Sequence, residues 1–478
     1  MQTIISDMKH PTRDLPLTIL QRMSAGFDAV FNGYEHSAVV VAVSGGSDSL
    51  ALLLLTKDYL EKHFPTCQLI AVTVDHQLRA ESADEAQAVA VLCKQLGISH
   101  QILCWSGDKP SSGLASAARN ARYDLLVQAA QQAQAFIILT GHTADDQVET
   151  YLMRREREGA LTGLVGEGRG LAAMAGQTLL HNQVMLCRPL LSVWREELRD
   201  LLRAKNIGWV DDPSNDNQAY ERPRIRQQAK MMDRLALLAA AQQTGVQRCA
   251  DNQRVAALLG NETGAMRLQA GDSLFLPSGW SAQDDAIAPL ALSYLLTAIG
   301  GQVFLAAIKD CASLNDWLAE PLPAGKQRKT LHHCIIEKSR QGITIRRERR
   351  NLPAIPLQKG EHVLWDGRYE IRNDGTEPVT IAALSEKQLL AYLRAQGFER
   401  GGGDHKVFDR TALLSAPTIF RDGDVIGLPA LSDLVPQAPF VTFKRALVCF
   451  DRVLSGYDFV VAAAVKALLT MPFNHNYR

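Results

Sequence analysis

The sequence predicts an α/β protein: an N-terminal doubly wound, Rossmann-like parallel sheet, then a helical middle domain and a small α+β C-terminal domain. Three observations predict it. Short apolar runs alternate with longer helical patterns over the first two hundred or so residues, the rhythm of parallel strands and their crossover helices. After about residue 215 the chain turns Ala/Leu/Gln-rich without strand-like runs, and beyond about Pro356 it becomes short strands and turns. At about 150 residues per domain, 478 residues suggest roughly three domains. The expected boundaries are 1–215, 216–355 and 356–478.

The elements follow in order. Ala38 to Val43 is apolar and β-branched throughout, as a strand buried on both faces should be, and Leu69 to Val74 and Phe136 to Thr140 repeat the type. Helical patterns run over Asp48 to His63, Ser82 to Leu96 and Ala115 to Gln132. Each strand leads into polar or Gly-rich sequence, so a ligand crevice is expected at the strands' carboxyl ends. Gly159 to Gly176, rich in glycine and without period, reads as a mobile connection before a helix over Arg195 to Asn206. Gln227 to Leu259 is helical; Leu290 to Ile299 and Leu314 to Ala319 follow, with strand pieces at Cys334 to Glu337 and Ile343 to Arg346. Asp366-Gly367, Asp374-Gly375 and Asp422-Gly423 are hairpin signals.

Lys+Arg 51 balances Asp+Glu 51, so the formal charge is zero, and no global positive field steers the molecule to nucleic acid. Eight cysteines are scattered without a C-x-x-C pair, as expected of a reduced cytoplasmic protein. The N-terminus carries charge before any apolar core, unlike a secretory signal. Ala286 to Ile308 has no formal charge, but Pro289, Ser293, Thr297, Gly300, Gly301 and Gln302 interrupt it, so it reads as a buried helix and not a membrane span.

The strongest local signal is Ser44-Gly45-Gly46-Ser47-Asp48-Ser49, between the first buried strand and a helix. Glycines allow a sharp turn and close approach to an anion, the helix start presents free N–H groups, and serines add hydroxyl donors. A phosphate or pyrophosphate is the expected ligand. The loop lacks both the Gly-Lys-[Ser/Thr] ending of a Walker A loop and a Gly-x-Gly-x-x-Gly pattern. Asp48 suits holding Mg²⁺ better than touching phosphate. A plain Gly/Ser turn is the alternative.

The loop resembles the PP-loop of the N-type ATP pyrophosphatases. Further blocks resemble the tRNA(Ile)-lysidine synthase family: Val74-Asp75-His76-Gln77-Leu78-Arg79, Ala118-Arg119-Asn120-Ala121-Arg122-Tyr123, Gly141-His142-Thr143-Ala144-Asp145-Asp146-Gln147-Val148-Glu149-Thr150, Arg188-Pro189-Leu190-Leu191, and Trp209-Val210-Asp211-Asp212-Pro213-Ser214-Asn215 continuing through Tyr220 and Arg222 to Arg226. The match covers about residues 37 to 230, with Arg347-Glu348 and Trp365 to Arg368 resembling C-terminal pieces more loosely. The chain departs from the family pattern between Glu149 and Met174, and Pro223 stands where Asn is more usual.

The resemblance implies ATP and Mg²⁺ as cofactors, L-lysine and a CAU-anticodon isoleucine tRNA as partners, no membrane, and a homodimer as an open assembly state. The implied reaction replaces the C2 oxygen of the wobble cytidine with the lysine ε-nitrogen after adenylation. Ser44, Gly45, Gly46, Ser47, Asp48 and Ser49 would bind ATP, Asp48 its metal, and Asp75 and His76 the adenosine or metal. Lysine's amine has a pKa of about 10.4, so the site needs a carboxylate for the cation and a base for its proton. Asp145 and Glu149, four apart on a helix, are expected to hold the amine, with His142 or one of them as base and Asp146 beside them. The alternative makes Asp145 or Asp146 a helix cap and Glu149 a partner of arginines. Arg119, Arg122 and Arg188 would face phosphate or the lysine carboxylate. Arg222, Arg224, Arg226, Lys230 and Arg234 form one basic run, and Arg346, Arg347, Arg349 and Arg350 a second, both candidates for the tRNA backbone. A tRNA thiolase using the same adenylation, or an ATP-binding module without catalysis, remain the alternatives; the missing C-x-x-C speaks against the first.

Overall fold

The computed structural model describes residues 19–31, 36–78, 81–211, 221–260, 266–269, 273–323, 325–398, 409–431 and 438–470. Arg79, the stretch Asp212 to Tyr220 and the expected boundary at residue 215 lie outside them. The chain divides into two compact units, the first built from residues up to Leu161, Gly168–Cys249 and Arg452–Tyr457, the second from Thr162–Glu167, Ala250–Asp451 and the chain from Asp458 on.

The first unit runs α1 (Ile19–Phe31), β1 (Ala38–Ala42), α2 (Ser47–His63), β2 (Gln68–Asp75), α3 (Ser82–Gln95), β3 (Ser99–Cys104), α4 (Leu114–Gln132), β4 (Ile137–Thr140), α5 (Ala144–Arg157), β5 (Gln177–Leu180), β6 (Val184–Cys187), α6 (Arg195–Ala204), α7 (Glu221–Lys230) and the part of α8 (Arg234–Leu259) up to Cys249. Its sheet has the order β3-β2-β1-β4-β6-β5, with Val453–Ser455 beyond β5. β3, β2, β1, β4 and β6 are parallel; β5 and Val453–Ser455 pair antiparallel at the far edge. β1 is fully buried because its two faces serve two cores. Val39, Val41 and Val43 pack with Met23, Phe27, Leu50 and Leu198, while Val40 and Ala42 pack with Tyr123, Leu126 and Ile138. Each such valine contributes about 1.5 kcal/mol or more by burial. Strand order reverses at β1, with β2 on one side and β4 on the other, which opens a crevice at their carboxyl ends.

Three features depart from the sequence reading. The first unit continues past residue 215, because Ile225 and Ala229 of α7 and Leu237 and Leu238 of α8 bury against Val148 and Leu152 of α5. Residues 168–176 are held and not a mobile linker: the Gln147 side chain spans the Met174 N–H and carbonyl at 2.8 Å each, and Arg154 donates to the Ala173 carbonyl at 2.9 Å. The strands β3, β5 and β6 carry too few residues of strong strand character to stand out from the sequence.

In the second unit, β7 (Arg267–Gln269), β8 (Ser273–Pro277), α9 (Ala288–Gly300), α10 (Ile308–Ala319), β9 (Gln327–Leu331), β10 (Cys334–Lys338) and β11 (Gly342–Arg347) form a five-stranded antiparallel sheet, β7-β8-β11-β10-β9, with two helices. The expected strand pieces are its centre, Ile336 opposite Ile345. α9 explains the uncharged stretch: every residue is buried, and Thr297 and Ser293 hydroxyls donate to the Ser293 and Ala306 carbonyls at 2.6 and 2.7 Å. Among the described residues no helix is long and apolar enough to cross a membrane. Two smaller sheets follow, built on β12 (Ile355–Leu357), β13 (His362–Trp365), β14 (Tyr369–Asn373), β15 (Val379–Ala382), β16 (Thr418–Arg421), β17 (Asp424–Gly427) and β18 (Val441–Arg445). No unit boundary falls at 355/356, where Arg347 grips Asp366 at 3.0 and 3.1 Å. Asp366-Gly367 and Asp422-Gly423 turn hairpins as expected, with Asp422 and Gly423 at φ 49° and 91°. Asp374-Gly375 does not: β14 pairs with β13 and β18 instead of β15, and the Asn373 side chain takes the Gly375 N–H at 3.0 Å.

Candidate active site

The loop after β1 is built as an anion cradle. Gly45 holds φ 79°, a conformation favouring glycine, and the Ser49 hydroxyl closes the turn, accepting from the Ser44 N–H at 3.1 Å and donating to the Gly46 carbonyl at 3.0 Å. α2 then begins at Ser47, so its first N–H groups point into the loop with no partner inside the helix. The β4–α5 turn presses on the same place: a Cβ at Gly141 would lie 2.8 Å from the Asp48 carbonyl oxygen, closer than any side chain tolerates. Glycine there lets two strand ends share one cleft of ≈ 830 Å³, within the range of nucleotide-sized sites.

Opposite the cradle stand four carboxylates. Asp48 lies in the first turn of α2; Asp145, Asp146 and Glu149 lie on α5. Asp146 closes a capping box, its carboxylate accepting from the Thr143 N–H and hydroxyl at 2.9 Å each. The capping alternative therefore holds for Asp146, while its other oxygen still faces Arg195 at 3.4 Å. Glu149 is almost fully buried, receives Arg226 Nε at 2.7 Å on Oε1, and has Oε2 without a partner. Arg226 is thus a counter-ion inside the cleft, and not a free contact for RNA. Asp145 accepts from the Arg195 N–H at 2.8 Å and from Arg234 at 3.1 Å. Burial pushes the Asp48 carboxyl above the usual range although Arg195 is beside it. A hard cation would find there an oxygen donor whose charge is incompletely compensated, so Asp48 fits the Mg²⁺ expected with ATP.

His142 lies in the turn after the parallel strand β4 and meets the Thr140 hydroxyl at 3.0 Å through Nδ1. Burial, then the nearby Arg188 guanidinium, push its pKa down to about 3. It is neutral at physiological pH, and so low a value makes it a weak proton acceptor, which counts against it as the base. Arg122 lines the cleft, and among the described residues no hydrogen bond or ion pair engages it; burial lowers its pKa. Ser44, Gly46, Ser47, Asp48, Ser49, Arg122, His142, Asp145, Asp146, Glu149, Arg222 and Arg226 line the cleft together.

Other expected residues stand apart from it. Asp75 is buried and accepts the Gln77 N–H at 2.8 Å, and His76 packs edge-on to Trp105 at 6.0 Å between ring centroids; neither lines the cleft. Arg119 is exposed over the Tyr123 ring. Arg188 is buried and donates to the Ala175 carbonyl and Thr178 hydroxyl at 2.8 and 2.9 Å, a structural tie between β6 and the segment before it. Arg224 is exposed near Glu156 at 3.9 Å. In the second unit, Arg346 and Arg347 are buried beside Glu337 and Asp366, leaving Arg349 and Arg350 exposed.

Sequence reasoning missed Arg195, the residue that touches the most carboxylates in the cleft. A signal existed. Arg195 is the first residue of α6, where the helix dipole favours acids, and Glu196 and Glu197 follow it as expected; a cation in that place is held by something outside the helix.

The cysteines bear on the sulfur-transfer alternative. Burial pushes the thiols of Cys93 up to about 11 and of Cys187, Cys311, Cys334 and Cys449 up to about 12, the opposite of a reactive thiol. None of the eight lines the cleft.

Residues 19–232 match the family model described as a PP-loop domain. Among solved structures the chain matches the U34-tRNA thiolase NcsA from Methanococcus maripaludis with a TM-score of 0.38 and 17% identity, over 47% of this chain and 78% of that one. It is 42% identical to the tRNA(Ile)-lysidine synthase of Brucella suis biovar 1, over 90% of this chain and 94% of that protein. To the tRNA(Ile)-lysidine synthase of Brucella anthropi it is 43% identical over 445 residues, covering 91% of this chain and 94% of that protein. Identity at that level, sustained along nearly the whole of both proteins, means that this chain belongs to the tRNA(Ile)-lysidine synthase family.

Proposed function

We propose that this chain ligates L-lysine to C2 of the wobble cytidine in a CAU-anticodon isoleucine tRNA, with ATP split to AMP and pyrophosphate, so that the modified tRNA reads AUA. The observation that carries the reading is one cleft in which a phosphate cradle faces a cluster of carboxylates. The first half suits an ATP-dependent adenylation, the second an amine nucleophile.

The N–H groups of Gly45 to Ser49 and the serine hydroxyls bind the phosphates. Asp48 would hold the Mg²⁺, which would supply charge neutralisation for the departing pyrophosphate. Arg122, a cation in the cleft lining without a counter-ion among the described residues, takes the lysine carboxylate or the α-phosphate bidentately. Asp145, Asp146 and Glu149 receive the lysine ammonium. The ammonium gives up one proton to free its lone pair before it attacks; once the ε-nitrogen bonds to C2 a second N–H becomes acidic and is lost as AMP leaves, and Glu149 Oε2, without a hydrogen-bond partner among the described residues, is the acceptor we assign. His142 acts as a neutral hydrogen-bonding group. Arg222 and Lys230 at the cleft, the exposed Arg224, and Arg349 and Arg350 in the second unit contact the tRNA backbone. The protein works in the cytoplasm.

The test is Asp48→Ala with ATP, labelled lysine and the tRNA transcript. Lysine incorporation is expected to fall at least about 100-fold, the scale of losing one aligned electrostatic group, while tRNA binding changes less than two-fold. A variant that still incorporates lysine, or that loses tRNA binding, contradicts the role given to Asp48.

A further inference from the structure

One guanidinium links the two halves of the cleft. Arg195 Nε donates to Asp48 Oδ2 at 2.8 Å, its terminal nitrogens stand 3.4 Å from Asp146 and 3.7 Å from Glu149, and its own backbone N–H donates to Asp145 at 2.8 Å. Only one of the three guanidinium contacts is a tight hydrogen bond. A guanidinium stays protonated in proteins, so the group is a fixed cation. It sits at the positive end of α6, where the helix dipole opposes it. The carboxylates alone hold it in place. Beside them Glu149 Oε2 is buried and, among the described residues, without a hydrogen-bond partner, so its hydrogen-bonding capacity is unmet.

We propose that Arg195 is a positioning residue that couples the metal–ATP half of the cleft to the lysine half: a stand-in cation shared by Asp48 and the Asp146–Glu149 pair, displaced when substrate cations arrive. A divalent ion on Asp48 removes the one tight bond of Arg195, and the helix dipole then favours its withdrawal. The lysine ammonium meets Asp146 and Glu149 less contested. Because coupling is reciprocal, lysine strengthens metal–nucleotide binding by the same factor. Without Arg195 only the repulsion between the two cations remains, which couples them with the opposite sign.

The inference rests on the lysine-transfer reading, and the experiment separates the two. Lysine binding to the full chain is measured calorimetrically with and without Mg²⁺ and a non-hydrolysable ATP analogue, in the wild type, Arg195→Gln and Arg195→Lys. The wild type is expected to bind lysine at least about five-fold more tightly with the nucleotide complex, at the lower end of ordinary allosteric couplings. In Arg195→Gln the ratio should fall to one or below, and bound Mn²⁺ followed by electron paramagnetic resonance, without nucleotide or lysine, should tighten. Arg195→Lys should restore the sign of the coupling, which a merely structural role would not do. A wild type that incorporates lysine into tRNA but shows no coupling, or an Arg195→Gln variant that keeps it, overturns this inference alone. A wild type that neither binds nor incorporates lysine overturns the lysine-transfer reading as well.

Discussion

His142 shows how placement decides the chemistry a side chain can do. A free imidazole titrates near neutrality, but here burial and Arg188 press its pKa down to about 3. Between that value and its unfolded pKa of about 6.5 the unfolded chain binds a proton that the folded one does not, so stability falls as pH falls through this window. The slope from this one group approaches about 1.4 kcal/mol per pH unit. Denaturant unfolding of His142→Gln between pH 6.5 and 5 should show that much less acid loss than the wild type; equal slopes would mean that His142 is not held neutral. The four carboxylates and the phosphate loop were legible as residue types in the sequence. Their division of labour was not: Asp145 and Asp146 are neighbours in the chain, yet one turns inward to cap α5 and the other outward to Arg195 and Arg234. Which arginine meets which carboxylate depends on partners up to 147 positions apart, as Arg195 and Asp48 are.

At the scale of elements, local pattern found what local forces make. β1, β2, β4 and the helices α2 to α4 lie within a residue or so of where apolar runs and helical periodicity placed them. The far edge of the sheet was invisible, because β5 pairs with Val453–Ser455, and a three-residue strand becomes a strand only through its partner. Just past it, Tyr457 donates to the Ala172 and Met174 carbonyls at 3.0 and 3.1 Å, pinning the stretch after Gly168 that the sequence marked as loose. Tyr457→Phe removes the hydroxyl and takes this donor from the Ala172 carbonyl, while Met174 keeps its bond from Gln147, at a cost of about 1–2 kcal/mol. Thermal unfolding should show a midpoint lower by about 2–6 °C. No change would mean that this tie adds nothing to the first unit.

For the whole molecule, 51 positive against 51 negative side chains leave no global field to attract RNA. Much of the local basic charge is also spent internally, since Arg226, Arg234, Arg346 and Arg347 are committed to carboxylates. Binding to a non-cognate tRNA should therefore depend weakly on salt. Between 50 and 200 mM salt the slope of log K against log concentration is expected to stay below about 4 in magnitude, roughly four neutralised phosphates. A slope near 10 would mean that a continuous basic surface exists which the charge pairing hides. Selection of one tRNA from many then rests on contacts and shape, with electrostatics supplying little of the discrimination.

The central claim is that the phosphate cradle and the carboxylate cluster serve one reaction in one cleft. The direct measurement incubates the wild-type chain with ATP, Mg²⁺, labelled L-lysine and a CAU-anticodon isoleucine tRNA transcript, and maps the label by nuclease digestion and mass spectrometry. One lysine should appear at the wobble cytidine for each AMP formed, and none when that cytidine is replaced by uridine. AMP formation without lysine in the tRNA, or label at any other nucleotide, would contradict the account.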